Sequence, residues 1–486
     1  MKKDDDNSAK KETQGMTVRK SGNFSEWYNE AVLKAKLAGF APVGGCMIIR
    51  PYGYAIWERI QSALDTSLKK SGHRNAYFPM FIPEKFLHKE AEHFEGFVPE
   101  VAWVEEENEK YALRPTSETI ICDAYSKWIR SWRDLPMLVN QWCNIVRWET
   151  KVTKLFLRTR EFLWQEGHTA HATKEEADAE VMKILDFYVD LAQNHLAIPV
   201  LSGRKSDSEK FAGALYTTTM EGLMPDGRAL QMGTSHNLGQ NFSKAFDIKF
   251  LDKDGKEKNV WQTSWGVSTR LIGAVAMVHG DDRGLVLPPR IAPVQVVIIP
   301  IIFEEGKGAV LDACKKVKER LGKDFMVELD DNDAYSAGWK FNEWELRGVP
   351  IRIEIGPRDV RNGEAVLVRR DTGEKTAVKL GGLEKAVKDM LDSIQNSLFR
   401  KAKKFLDDNT VSASSYEKLR EAIGKRKMVR TSWCGSPDCE EKMKGETTAT
   451  IRVMHPLGKK GAGSGTAKCV CCGKAAKHTV YIAKAY

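Results

Sequence analysis

The spacing of apolar residues changes several times along the chain, and each change marks an element. Helical spacing runs over Trp27–Phe40 and again over Tyr52–Lys70, where Gly72 closes the second helix. Between them lie Gly44-Gly45 and a short apolar segment, Cys46–Ile49. Asn75–Ile82 (NAYFPMFI) reads as a strand limited by Pro79 and Pro83. Helices are expected over Pro83–His93 and Ser117–Trp132, the second opened by Thr116-Ser117-Glu118 as an N-terminal cap. Strand patterns then dominate at Pro136–Trp148, Lys154–Trp164, Ala214–Met220, Gly227–Asn237, Lys249–Leu251 and Val260–Gly266. One helix, Glu175–Leu196, interrupts them. Short connections between these strands predict antiparallel pairing and an α+β arrangement.

After Pro288-Pro289 the texture changes. Val294–Ile302 is a continuous apolar run suited to a strand buried on both faces. Helices at Ala309–Leu321, Gly338–Arg347 and Leu383–Asn396 alternate with strands at Phe325–Leu329, Pro350–Ile355, Ala365–Arg369 and Thr376–Lys379. That alternation predicts a separate α/β domain. The expected organisation is multidomain: a disordered tail over 1–22, a catalytic domain over 23–290, a second domain over 291–397 and a cysteine-rich module over 398–486.

Composition adds a charge asymmetry. The net charge is +9, but residues 401–486 carry 18 Lys/Arg against 8 Asp/Glu, leaving the first 400 residues almost neutral. A basic end module suits a polyanion such as nucleic acid, although Lys-rich surfaces also serve solubility. The first ~20 residues are polar and of mixed charge, unlike a secretory or transit signal, and no apolar run of about 18 residues occurs. The expectation is a cytoplasmic protein without a membrane span. Cys46, Cys122, Cys143 and Cys314 stand singly, as buried small hydrophobes do. The other five cluster near the C-terminal end.

The chemistry begins at Val146-Arg147-Trp148-Glu149. On a strand, Arg147 and Glu149 share a face, where a surface ion pair is the plain reading. A loop then leads to Phe156–His168 (FLRTREFLWQEGH), dense in Arg, Glu, aromatic and His residues. Two such strands side by side would form a charged floor that is costly to bury without a ligand. Together with RPTSE (Arg114–Glu118) and TSHNLGQNF (Thr234–Phe242), these segments resemble the prolyl-tRNA synthetases of archaeal and eukaryotic type. Those enzymes are class II aminoacyl-tRNA synthetases. Arg147-x-Glu149 and the return strand are similar to motif 2 of that class. Tyr52–Pro83 is similar to motif 1, with Pro79 as its final proline, which implies a homodimer. Trp265–Arg270 (WGVSTR) is similar to motif 3. The resemblance extends from about Asn23 to Tyr486.

It implies an antiparallel-sheet catalytic domain, an α/β anticodon-binding domain and a C-terminal zinc-binding module. It also implies ATP-dependent activation of L-proline, followed by transfer to tRNA(Pro), with Mg²⁺ accompanying ATP. A carboxylate attacking the α-phosphorus is already ionised at pH 7, so the site must supply position and positive charge rather than a base. Arg147 is then the clamp for substrate carboxylate and α-phosphate, since its guanidinium offers a planar fork of donors. Glu149 would accept from the adenine amino group, with Arg158 and Thr159 over the nucleotide. Gln231, Thr234 and Ser268 would address ribose and phosphates, and Arg270 the γ-phosphate. Proline is a small apolar ring with a two-donor ammonium. Thr116 and Glu118 would accept from that nitrogen, Trp164, Phe211 and His236 would enclose the ring, and Glu166 and His168 would orient the floor. His168 and His171 lack a convincing third partner for a metal. A synthetase for another small amino acid such as threonine, or an inactive RNA-binding paralogue, are the alternatives.

Cys434-Gly-Ser-Pro-Asp-Cys439 and Cys469-Val-Cys471-Cys472-Gly473 are two turn-forming cysteine pairs about 30 residues apart, a spacing that suits tetrahedral zinc. Cys434, Cys439, Cys469 and Cys472 are the expected ligands, with Cys471 the competitor in the last pair. Such a cluster is expected to sit outside the catalytic module and to matter more for stability than for activity. Within the second domain, Glu343, Arg347 and Arg358 are candidate tRNA contacts. The family resemblance further implies that the terminal Tyr486 folds back toward the active site.

Overall fold

The computed structural model describes residues 15–87, 101–107, 109–148, 152–303, 306–456 and 467–486. Its described residues divide into two compact units: those within 38–49, 53–278 and 396–486 form one, and those within 15–37, 50–52 and 279–395 form the other.

The first unit is organised by an eleven-stranded sheet. In chain order its strands are β1 (Arg74–Asn75), β2 (Met137–Val146), β3 (Glu161–His171), β4 (Leu201–Arg204), β5 (Tyr216–Leu223), β6 (Ala229–Gly239), β7 (Trp261–Ser268), β8 (Thr410–Ser412), β9 (Met428–Trp433), β10 (Ala449–Pro456) and β11 (His478–Lys484). Their order across the sheet is β8-β9-β11-β10-β4-β5-β6-β7-β3-β2-β1. The central pairs β2/β3, β3/β7, β7/β6, β6/β5 and β5/β4 are all antiparallel, as the short connections predict. Parallel pairing is confined to the two edges, β1/β2 and β8/β9.

Helix Lys174–Asp190 covers the central strands with a fully buried stripe including Val181, Ile184 and Tyr188. Its start is a reciprocal capping box between Thr173 and Glu176. Gly167 lies directly across from Trp265, and a Cβ there would fall 2.0 Å from Trp265 Cη2, so only glycine lets the indole lie over the sheet. A second close approach joins the cysteine-rich segment to the central strands. Gly203 of β4 admits β10, because a Cβ would meet Val453 at 2.7 Å and His455 at 2.8 Å. Strands within residues 398–486, expected as a module of their own, thus continue the eleven-stranded sheet.

Three local expectations are corrected. Only Arg74–Asn75 and Phe81–Pro83 are strands within Asn75–Ile82 and its surroundings, and they belong to different sheets. Pro79 has no N–H to give a ladder, and the buried Arg114 takes the Phe78 carbonyl at 2.8 Å instead. The strand expected from Lys154 begins at Glu161. Lys154 and Arg158 exchange backbone hydrogen bonds of 2.7 and 2.9 Å, and the apolar Leu155-Phe156-Leu157 run is buried as a turn. The first helix ends at Lys34, and Ala38–Phe40 turns into a hairpin with Met47–Ile49. Of the helix expected over Pro83–His93, Pro83 ends a strand, residues 84–87 are helical, and 88–93 lie outside the described residues.

The second unit holds a five-stranded sheet in the order Val327–Leu329, Val296–Pro300, Ile351–Ile355, Glu364–Arg369, Lys375–Lys379. The first three are parallel and the last two antiparallel. Every residue of Val296–Pro300 and Ile351–Ile355 is buried, as the unbroken apolar run of the first predicts. Helix Phe24–Lys34 groups with this unit rather than with the strands of the expected catalytic domain. Trp27 Nε1 donates to the Asp281 carbonyl at 2.9 Å, and Lys36 pairs with Glu343.

Candidate active site

The central strands open on a cavity of about 250 Å³. Its floor is β3, β6 and β7. Glu166 is buried there and accepts hydrogen bonds from Ser117 Oγ (2.5 Å), Gln141 Nε2 (2.8 Å) and His168 Nε2 (2.9 Å). Burial alone would raise the Glu166 carboxyl. His168, Ser117 and Gln141 together outweigh it and hold the group below the usual carboxylate range. Burial likewise opposes a charge on His168, yet Glu166 and Glu118 raise it above an ordinary imidazole.

Ser117 does not cap the helix Glu118–Trp128 through its side chain, because its hydroxyl is turned to Glu166. Thr116 donates to Glu118, and both are buried on the cavity wall. Across from them, His236 lies with its ring centre 4.9 Å from Phe211, and Thr217 Oγ1 meets its Nδ1 at 2.8 Å. Burial, followed by the charges of His168 and Lys205, pushes the His236 pKa down to about 3, so the ring is neutral at pH 7. Trp164 completes an aromatic enclosure around acceptor groups.

The other end is cationic. Arg147 stands one residue beyond the end of β2, donates from Nε to the Pro115 carbonyl at 3.1 Å, and lies 5.7 Å from the Phe162 and Trp164 rings. Arg270 opens the helix Arg270–His279. Its guanidinium is fixed by the carbonyls of Leu157 (3.0 and 3.2 Å) and Gln231 (3.2 Å). The buried turn at 154–158 therefore aims this arginine. Burial first, and repulsion from Arg147 and Arg158 next, bring its pKa down to about 10. Arginines gathered at one end of a cavity form an anion site.

Thr116, Glu118, Arg147, Trp164, Glu166, His168, Phe211, Gln231, Thr234, His236, Ser268 and Arg270 all line this one cavity. Arg158 and Thr159 do not line it. The Thr159 hydroxyl donates to the Glu161 carbonyl at 2.7 Å. Glu149 lies outside the described residues. The sequence reading missed Ser117 and Gln141 as supports of Glu166, because a serine before a helix reads as a cap. It also missed Lys205 and Glu209 on the wall, which nothing in the local pattern distinguishes from surface charges.

Three family models match in order: the class II tRNA synthetase core domain (G, H, P, S and T) over residues 102–279, an anticodon binding domain over 295–390, and the prolyl-tRNA synthetase C-terminal domain over 416–486. A proline–tRNA ligase of Alkaliphilus oremlandii is 56% identical, covering 96% of both chains. Another from Natranaerobius thermophilus is 54% identical over 96% of this chain and 97% of its own. Proline–tRNA ligase 2 of Bacillus cereus is 51% identical over 98% of this chain and 100% of its own.

The chain belongs to the prolyl-tRNA synthetases.

The synthetase carries two further groupings. The Sγ atoms of Cys434, Cys439, Cys469 and Cys472 all lie within 4.8 Å of one another. Cys434 is 3.8 Å from Cys439 and 3.7 Å from Cys472. A tetrahedron with Zn–S bonds of about 2.3 Å has S···S edges of about 3.8 Å, so the donor set fits zinc. Cys471 is outside the set. In the second unit, Glu343 and Arg347 pair at 2.6 Å and border a depression of about 400 Å³, where Tyr335 and Trp339 stack 3.8 Å apart. Arg358 is exposed and does not border it. Tyr486 donates to Asp226 at 2.9 Å, and its backbone N–H reaches the Ala229 carbonyl, at the start of the strand that carries Gln231, Thr234 and His236.

Proposed function

We propose that this cavity performs both steps of the synthetase reaction, with proline at the end formed by Thr116, Glu118, Trp164, Glu166, His168, Phe211 and His236. The synthetase is a proline–tRNA ligase. ATP occupies the cationic end, where Arg147 holds the α-phosphate and substrate carboxylate, and Arg270 holds the γ-phosphate. Gln231, Thr234 and Ser268 address the ribose and phosphates, and Glu149 accepts from the adenine amino group. A carboxylate oxygen of proline bonds to the α-phosphorus as the bond to the pyrophosphate oxygen breaks. A hydroxyl of the terminal tRNA adenosine then attacks the carbonyl carbon, and AMP leaves. Class II synthetases use Mg²⁺ with ATP. The observation that carries this reading is a single cavity with buried carboxylates and aromatic rings at one end and arginines at the other.

Zinc at Cys434, Cys439, Cys469 and Cys472 would tie β9 to the turn before β11 and supply no reaction step. Glu343, Arg347 and Arg358 are proposed tRNA contacts, with the Tyr335–Trp339 stack offering a face for an unpaired base. A homodimer is supported by Phe40, Ile48, Tyr77 and Phe81, all large apolar side chains left exposed. None of the described helices is long and apolar enough to cross a membrane. Nine free cysteines agree with a cytoplasmic location.

Pyrophosphate exchange with a panel of amino acids tests the reading. Proline should support exchange far better than threonine. Equal or better exchange with threonine would overturn the assignment of the amino-acid end.

A further inference from the structure

The strand β10 carries a bulge at Arg452, whose side chain meets β5 beside a second register shift. In β10 the register shifts between Ile451 and Val453, so Arg452 has no partner across the ladder and its side chain is re-aimed. Where β5 pairs with β6 the register shifts between Met220 and Glu221, the extra residue being Met232 of β6. Arg452 and Glu221 meet there, both buried. Nε and Nη2 of the arginine donate to Glu221 at 2.9–3.1 Å, and Nη1 donates to Thr450 Oγ1 at 3.0 Å. Glu221 is shared: its Oε1 also accepts from Thr219 Oγ1 at 3.0 Å and pairs with Lys205 Nζ at 3.3 Å.

Lys205 is the far end of this chain of contacts, and it lines the cavity. It directly follows β4, which meets β10 at Arg204–Met454, so the two cations are brought to one carboxylate by the same strand junction. One carboxylate between one guanidinium and one ammonium leaves an excess positive charge. Glu209 offsets part of it, at 4.0 Å from Arg452, but is partly exposed and shared with Lys444. An uncompensated buried cation is costly, and Lys205 opens onto the cavity in which the substrate carboxylate and phosphates are proposed to bind. The neighbouring residue is clamped from the same side: Ser206 Oγ donates to Glu440 Oε1 at 2.5 Å, and Glu440 follows Cys439 on the helix Pro437–Thr447. Burial, opposed by Glu221, lowers the Lys205 pKa, and Lys205 in turn helps to keep His236 neutral.

Resting on the proposed amino-acid end of the cavity, we propose that Arg452 of the C-terminal segment is a positioning residue for proline binding. It acts through Glu221 to hold Lys205, which presents its cation to the amino-acid end of the cavity. The segment carrying the cysteine cluster would then be part of the substrate site rather than an appendage.

The experiment is pyrophosphate exchange by the full-length protein carrying Arg452→Met, Arg452→Lys, Lys205→Met and the Arg452→Met/Lys205→Met pair. Misplacing one group in a positioned site should raise the KM for proline roughly tenfold in Arg452→Met and in Lys205→Met, with the KM for ATP within about twofold of the parent. Because both act through one contact, the double variant should be no worse than Lys205→Met alone. Arg452→Lys keeps the charge without the fork and should fall between parent and Arg452→Met. If Arg452→Met does not fold, Arg452→Lys and Lys205→Met carry the comparison. A lowered melting temperature with unchanged kinetic constants overturns the proposal, as do multiplying effects in the double variant or an equal rise in the KM for ATP. Exchange by the parent protein separates the two readings, since failure there with proline would refute the proposed function itself.

Discussion

At the scale of single residues, the cavity works by holding charges in fixed states. Arg147 is the residue on which activation should depend most. It stands where the α-phosphate is proposed to bind and packs against Phe162 and Trp164. Arg147→Ala should cost roughly 3–4 kcal/mol of transition-state stabilisation, a few hundredfold or more in proline-dependent exchange. Unchanged circular dichroism would accompany that loss, and near-parental exchange would remove Arg147 from the mechanism. His236 gives a pH test. Its pKa falls from 6.5 to about 3 on burial, so between those values the unfolded chain binds a proton that the folded chain refuses. Stability therefore erodes as the pH drops below 6.5. His236→Gln removes this contribution, and the variant should lose less stability than the parent between pH 6.5 and 4.5 in urea titrations. Equal losses would contradict the assignment.

At the scale of elements, strand register decides which side chains share the cavity. Gly167 and Trp265 face each other across β3 and β7. Gly167→Ala places a methyl group inside the indole, and the strands must separate or the ring must turn. The expected cost is about 1–3 kcal/mol, together with weaker proline binding, since Glu166 and His168 flank the same position. A urea midpoint and a proline KM both equal to the parent's would rule this out. Much at this scale was legible in sequence. The helix from Pro51 to Lys70 and the apolar strand Val296–Pro300 follow directly from their spacing. The turn at 154–158 was not, because Leu155-Phe156-Leu157 looks like a strand and is buried for a different reason.

At the scale of the whole chain, the cysteine-rich segment changes meaning. The sequence places its cluster apart from catalysis. In the structure β10 and β11 extend the catalytic sheet, and Glu440, next to Cys439, holds Ser206 beside the cavity. Cys439→Ser should release about one zinc per chain and lower proline-dependent exchange along with thermal stability. Metal analysis and exchange on the same preparation check it. Absence of zinc from the reduced parent protein would defeat the metal assignment, and full activity in the zinc-free variant would defeat the coupling.

The sequence by itself determined the family, the class of fold and most of the cavity wall, because chemistry that depends on particular residues in order leaves a local record. Arg147, Glu166, His168 and Arg270 lie within short recognisable segments and line one cavity. Tertiary structure alone decided which of those residues meet and what supports them. Ser117 turns from its helix to Glu166, the Leu157 carbonyl aims Arg270, and Arg452 reaches Glu221 across 231 residues of chain. Such contacts depend on register and bulges, which are set by pairing between distant strands, and a one-residue slip would move Glu166, Glu221 or Arg452 to the other face of the sheet.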